Sequence, residues 1–245
     1  DMERLLSPNG PYGRVLRPSD GKIPDSVAYV QCAGSRDETV GVPYCSRVCC
    51  MYAIKQSMLL GGALPLADIT VYYMDIRAFG KGYEQFYQTA KAMGINFVKA
   101  KVGRIEEREN GDLAVRVEMI EEDGRVVENE HDLVVLSVGL KPGDDPRRFL
   151  DVDLDLYGFV ASPDPKLDVT LTSLPGVFAA GGAVGPKDIV DSVAEASAAA
   201  TKVAIHLGPP PKSPAPPDDG LQVEISDILA PLAVAAGQIP DVQRV

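Results

Sequence analysis

The hydrophobic period changes once along this chain, and that change restricts the fold more than any other feature. Up to residue 98 short apolar runs alternate with helical ones. Val27–Gln31 reads as a buried strand, Cys45 to about Leu60 as a helix stopped by Gly61 and Gly62, and Ile69–Met74 as a second strand. Tyr83–Met93 reads as a helix ended by Gly94, and Ile95–Val98 as a third strand. The order β-α-β-α-β predicts a parallel sheet with crossover helices. From there the period becomes two. The charged, alternating segments Arg104–Glu109, Leu113–Glu121 and Arg125–Glu130 are joined by Asn110-Gly111 and Asp123-Gly124. Those are hairpin signals and predict an antiparallel meander. Leu133–Gly139 reads as a last buried strand, so residues 25–140 form a Rossmann-like half with a β-meander insert.

The flanks differ in character. Residues 1–24 are rich in Pro, Gly and Ser and read as a lead-in loop or linker. Residues 141–160 read as loop. Gly176–Gly182 reads as a strand running into glycines, and Asp188–Lys202 as a helix of mostly small residues. Residues 208–217 form a Pro-rich spacer, and the end, Leu221 to Pro240, is apolar enough to dock on this domain or a partner, so 208–245 is expected to be spacer and docking tail. No internal repeat is visible.

Composition removes several function classes. The 245 residues are 45% hydrophobic and 24% charged, ordinary globular values. The 24 basic against 35 acidic residues, a net charge of −11, argue against a nucleic-acid partner. No run of about 18 apolar residues predicts a membrane span. The opening DMERLLSPNG resembles no signal peptide and lacks an initiating Met, so the chain is expected to start inside a longer reading frame. Two separated histidines, His131 and His206, and no G-x-S-x-G motif argue against a His-based metal site or a Ser-His-Asp triad.

All four cysteines fall within residues 32–50, as C-x12-C-x3-C-C. Cys32 follows the first strand. Cys45, Cys49 and Cys50 are expected to open the next helix, with Cys45 and Cys49 on one face and Cys50 about 100° round. A helix N-terminus favours thiolates, so the four can converge on one centre. Zinc usually takes C-x(2–4)-C pairs, which are missing, and adjacent cysteines suit a larger cluster with separate corners better than one tetrahedral ion. The chemistry therefore ranks an iron–sulfur centre above zinc, a redox dithiol third and inert buried cysteines last. The ferredoxin C-x2-C-x2-C run is absent too, so the spacing alone leaves the choice open.

Three glycine loops are candidate phosphate sites. After the first strand Cys32 and Gly34 stand where G-x-G-x-x-G would be; Gly80–Gln85 lacks the third glycine; Gly181-Gly182-Ala183-Val184-Gly185 has the strand-to-helix setting without the full pattern. A plain turn is as good a reading of each. Asp75 reads as a helix-opening or supporting carboxylate. The helix start at Lys187-Asp188 carries partial positive charge that would stabilise a reduced flavin, with Lys187 adding to it; a surface lysine on a simple crossover is the rival reading.

Gln31–Asp37, Tyr44–Lys55, Tyr73–Tyr83, Gly176–Gly182 and Gly185–Ile189 together resemble the A-type flavoprotein component of heterodisulfide reductase, over residues 3 to about 207. The resemblance implies an α/β, thioredoxin-reductase-like fold: a Rossmann-like parallel sheet with β-meander (25–140), plus a partial FAD-domain half (141–207). It implies a [4Fe–4S] cluster on Cys32, Cys45, Cys49 and Cys50, and FAD held in part by Gly181, Gly182, Ala183, Gly185, Pro186, Lys187, Asp188 and Ile189. Gly34, Ser35 and Arg36 would hydrogen-bond cluster sulfurs. The implied activity is oxidoreductase electron transfer between FAD and the cluster, onward to iron–sulfur partners of the heterodisulfide reductase B/C or hydrogenase/ferredoxin kind, with electron bifurcation in some members. No side chain is expected to act as acid, base or nucleophile. A hetero-oligomeric complex in the cytoplasm of an anaerobe is expected. The family's N-terminal FAD half and its ferredoxin-type motifs are missing, and its flavin-binding turn, usually Gly-Asp, here reads Gly181-Gly182. The 141–207 sheet is thus expected to expose an unpaired edge covered by a partner or the missing half. A non-catalytic assembly subunit with a structural iron–sulfur or zinc centre is the alternative. A thiol–disulfide oxidoreductase using Cys49 and Cys50 comes third.

Overall fold

The computed structural model describes residues 1–209. The strands are β1 (Ser26–Ala33), β2 (Asp68–Tyr73), β3 (Asn96–Glu107), β4 (Leu113–Met119), β5 (Arg125–His131) and β6 (Leu133–Val138). The helices of the sheet-forming part are α1 (Met2–Leu6), α2 (Cys49–Ala63) and α3 (Tyr83–Ala92); α4 (Ile189–Leu207) comes well after the last strand. One six-stranded sheet runs β5-β4-β3-β2-β1-β6. β6, β1, β2 and β3 pair in parallel; β3, β4 and β5 pair antiparallel. Asp1–Val203 forms one compact unit.

Strand alternation sends neighbouring residues to opposite faces. Val27 and Tyr29 of β1 and Val71 of β2 join Ile54 and Leu60 of α2 and Tyr87 of α3 in one core. Ala28 and Tyr72 face the other way and meet Val115 and Val117 of β4 in a second core. The meander thus covers the face the helices leave open. It reaches there because β3 is a single twelve-residue strand, parallel to β2 at its start and antiparallel to β4 beyond. The sequence pattern predicts two strands here. Instead the register shifts between Val102 and Arg104, a bulge at Gly103 where the strand bends without ending.

The curl returns the end of β5 to the start of β1, although three strands separate the two in the sheet order. Asp132, the lone residue between β5 and β6, donates its N–H to the Ser26 carbonyl (3.0 Å). Its carboxylate accepts the N–H groups of Asp25 (2.8 Å) and Ser26 (3.2 Å). Buried His131 lies 2.8 Å from Ser26 Oγ through Nδ1 and 2.9 Å from Tyr72 Oη through Nε2, while Asn129 donates to Tyr72 Oη at 2.9 Å. A neutral imidazole satisfies this chain, accepting from Tyr72 and donating to Ser26.

Four expectations are corrected. Residues 1–24 are not loop throughout: α1 buries Met2 in the helix-side core, and Glu3 accepts from Lys55 and Gln56. Helix α2 starts at Cys49 rather than Cys45, because Arg47 has a left-handed φ of +64° that a right-handed helix cannot contain. It also runs through Gly61 and Gly62 and stops before Pro65, which disfavours helical geometry in the residue preceding it. Gly176–Gly182 is not a strand: left-handed Gly176 and Gly181 bracket a stretch with room only for an isolated bridge between Leu171 and Phe178. The described part of 141–207 accordingly holds isolated bridges and no sheet whose edge could lie unpaired. The proline-rich spacer and docking tail lie outside the described residues from 210 onward.

Burial lowers the His131 pKa below its ordinary 6.5. The unfolded chain therefore binds the proton more readily, and this contribution to stability is full at neutral pH and is lost as pH falls below 6.5. Urea unfolding should show that decline. Tyr72→Phe, which strands His131 Nε2 and Asn129 Nδ2, should cost about 1–3 kcal/mol at pH 7; unchanged stability would show that the network carries no weight.

Candidate functional site

The end of β1 and the start of α2 meet at the cysteines. Cys32 sits where the β1–β6 register shifts between Val30 and Ala33, with φ +59°. Cys49 and Cys50 are the first two residues of α2 and are buried. Val48 caps the helix without a side-chain hydrogen bond, so the positive end of the helix faces the sulfurs. All four thiols are free.

Cys49 interacts with both Cys32 and Cys50, and the interaction shifts all three thiols. Acceptance from Cys49, aided by the Arg36 guanidinium, lowers Cys32 to about 7. Cys50 is lowered chiefly by the same donor. Cys49 is pushed up, because ionising it would lose both bonds. The arrangement holds one proton between two thiolate-prone neighbours. Because α2 starts at Cys49, Cys45 lies in the loop before the helix, where its sulfur accepts the Arg47 N–H at 3.3 Å. Among the described residues no group of three or more His, Cys, Asp or Glu is placed to hold a metal ion.

The surroundings are polar and tightly fitted. Arg36, itself at φ +57°, donates to Asp75 Oδ1 at 2.8 Å, and Arg77 lies 3.4 Å from the same oxygen. Asp75 is thus a supporting carboxylate, as its position after β2 suggested. Ser35 Oγ is buried with no hydrogen-bond partner. Gly139, just past β6, makes the closest approach: a Cβ there would stand 2.0 Å from Ser46 Oγ. That oxygen accepts the Leu140 N–H at 2.9 Å, and Tyr44 Oη donates to the Leu140 carbonyl at 3.2 Å. The cysteine loop is therefore clamped to the chain leaving β6. Ser46 and Gly139 carried no motif, and their roles arise only from this contact.

The second predicted site is built differently from expectation. Gly181, Gly182 and Ala183 form a single 3-10 turn, and Gly181 donates its N–H to Glu195 at 2.9 Å. Lys187 is neither a surface lysine nor a free cation. Its side chain is 8% exposed and its ammonium bonds both Glu195 oxygens at 2.6 Å. Asp188 caps α4, accepting the Asp191 N–H at 2.8 Å. Lys187, Asp188 and Ile189 line a groove of about 850 Å³ whose other wall includes Met51 and Tyr52 of α2 and Phe79. Gly181, Gly182, Ala183, Gly185 and Pro186 are not on that wall. The groove thus joins α2, immediately after Cys50, to the start of α4. Arg47, Lys55 and Lys81 add cations to its rim.

A parallel sheet with a folded-back meander, carrying thiols where a phosphate loop would sit, defines a redox relative of the dinucleotide-binding flavoprotein domains. The chain belongs to the pyridine nucleotide-disulphide oxidoreductase family, which it matches over residues 62–200. The cysteines precede the matched span. The chain is 45% identical over 215 residues to the A component of the H(2):CoB-CoM heterodisulfide,ferredoxin reductase of Methanothermobacter thermautotrophicus, covering 84% of this chain and 32% of the relative. It is 46% identical over 215 residues to one of the iron–sulfur A components of the CoB–CoM heterodisulfide reductase of Methanopyrus kandleri, with the same coverage. The chain spans about a third of the length of these curated relatives. Thioredoxin reductase of Lactococcus lactis shares the fold, with a TM-score of 0.50 and 19% identity over 75% of this chain and 53% of that one.

In the metal-free chain the Cys32 thiol should react with iodoacetamide at half its maximal rate near pH 7, with Cys49 far slower. Arg36→Gln should move the Cys32 midpoint upward, since a neighbouring cation is lost. Equal midpoints for Cys32 and Cys49, read per residue by mass spectrometry, would contradict the shared-proton arrangement.

Proposed function

We propose that this chain is the electron-transfer module of a heterodisulfide reductase A-like oxidoreductase. Cys32, Cys45, Cys49 and Cys50 hold a [4Fe–4S] cluster, and the Lys187–Ile189 turn forms one wall of a FAD site. The observation that carries the reading is that free Cys32, at the end of β1, and free Cys49 and Cys50, in the first turn of α2, lie close enough to shift one another's ionisation. The donor set fits such a centre. It offers four free thiols, two of them inclined to ionise, with the unpartnered hydroxyl of Ser35 beside them.

When bound, the flavin would exchange electrons in pairs and the cluster singly. The chain's own residues supply position and field. Arg36, oriented by Asp75, brings positive charge to Cys32 and favours electron-rich sulfur. The Lys187–Glu195 pair locks the Gly181 turn, and Asp188 fixes the first turn of α4. The groove between Met51–Tyr52 and Ile189–Val190 has apolar walls and takes in the Lys81 ammonium, which suits an aromatic anion. In this reading residues 25–140 carry the cluster and 141–207 the flavin wall. The rest of the flavin site comes from sequence the curated relatives have and this chain does not span.

Val193 and Val203 expose their side chains along α4, which supports assembly with other redox subunits. Those subunits are iron–sulfur proteins of the heterodisulfide reductase B/C or ferredoxin kind, and bifurcation would be a property of the whole complex. No helix among the described residues is long and apolar enough to cross a membrane; the proposed compartment is the cytoplasm.

Anaerobic reconstitution should yield about four irons and four sulfides per chain, with a dithionite-induced EPR signal lost in Cys49→Ala. Zinc retained in place of iron would overturn the electron-transfer reading and leave a structural assembly protein.

A further inference from the structure

We propose that Arg47 is a positioning residue that couples the Cys45 corner of the thiol centre to the first turn of α4, acting through Asp191. The proposal rests on the reading of the cysteines as a redox centre.

Arg47 lies between Cys45 and Cys49 and is one of four described non-glycine residues with positive φ. A side chain in that conformation persists only where its surroundings hold it there. Two contacts do so. The guanidinium donates to Asp191 Oδ2 at 2.8 Å and lies 5.0 Å from the centroid of the Phe79 ring. The same twist aims the Arg47 N–H at Cys45 Sγ, 3.3 Å away. Its neighbours Tyr44 and Ser46 anchor elsewhere, to the backbone of Leu140. Asp191 is itself held, since its N–H is bonded by Asp188, the residue beside Lys187 on the groove wall. One side chain thus links a sulfur to the turn that lines the groove.

The physical consequence is specific. An N–H donor on a sulfur of a thiolate centre favours its electron-rich, reduced state. If Asp191 no longer holds the guanidinium, Arg47 swings toward solvent, its φ relaxes, and the N–H leaves Cys45. Asp191 therefore affects the centre by way of Arg47 and not chiefly by its own charge. Anything that moves the first turn of α4 is felt at Cys45, and the reverse holds by linkage.

The test is a double-mutant cycle of Arg47→Gly and Asp191→Asn in the full chain, reconstituted anaerobically and followed by EPR-monitored potentiometry. Glycine tolerates positive φ without being held to it, so Arg47→Gly removes the tether to Asp191 and frees the N–H from Cys45 without forcing the loop to refold. It should lower the reduced-to-oxidised ratio about tenfold at a fixed potential, a fall of about 59 mV for one electron. Asp191→Asn should shift the ratio severalfold in the wild-type background and leave it unchanged in Arg47→Gly. Equal shifts in both backgrounds, or a shift in neither, would overturn the coupling. If no cluster assembles in any variant, the cluster reading fails while the coupling is still tested on the metal-free chain. There the alkylation rate of Cys45, measured per residue by mass spectrometry, should fall severalfold in each single variant and no further in the double. Additive falls, or none, would refute it.

Discussion

A parallel sheet must be covered on both faces, and the way this chain meets that demand sets everything else in its sheet-forming part. Helices α1, α2 and α3 cover one face through Val27, Tyr29 and Val71. Among the described residues no helix packs in the core on the other face, so the sheet covers itself: β3 bends at Gly103 and carries β4 and β5 across Ala28 and Tyr72. Burial of Val115 and Val117 drives the fold-back, while Asp132 and His131 fix where it ends. The single residue between β5 and β6 suffices as a connection only because the curl has already brought β5 to β1. β6 then lies beside β1 and delivers Gly139 and Leu140 to the cysteine loop.

That delivery places thiols where related folds place a phosphate. The asset is the same in both cases: a strand end facing the positive end of a helix, with backbone N–H groups nearby. Here Cys32 lies at the irregular end of β1, and Cys49 and Cys50 occupy the first turn of α2. Three non-glycine residues in this small region, Cys32, Arg36 and Arg47, take left-handed backbone conformations. Strain concentrated so closely is held by contacts outside the loop, through Asp75, Leu140 and Asp191. The centre is thus preorganised by the sheet on one side and by α4 on the other.

The start of α4 shows how charge is managed beside an apolar groove. Lys187 would be costly to bury alone, and Glu195, further along the helix, compensates it while also holding the Gly181 amide. On the other wall Arg47 is paired with Asp191 and Lys55 with Glu3, and Lys81 adds a further cation. A glycine turn without the usual acidic residue is therefore not left unsupported, since Glu195 supplies a carboxylate from the helix.

Elements whose pattern is local could be read from the amino acids without coordinates. The change of period at residue 98 identified a parallel sheet followed by a meander, Asn110-Gly111 and Asp123-Gly124 marked its turns, and the clustering of four cysteines marked the candidate site. Long motifs such as Tyr44–Lys55 carried the family. Features that depend on partners distant in sequence emerged only on folding. Helix propensity places Cys45 in α2, and it is the contact of Arg47 with Asp191, 144 residues away, that holds the loop out of the helix. Lys187 reads as a free cation until Glu195 is folded onto it, and Gly176–Gly182 reads as a strand until no ladder partner is found. Periodicity reports which face of an element is buried. It does not report what that face meets, and at this site the chemistry of the sulfurs is set by what they meet.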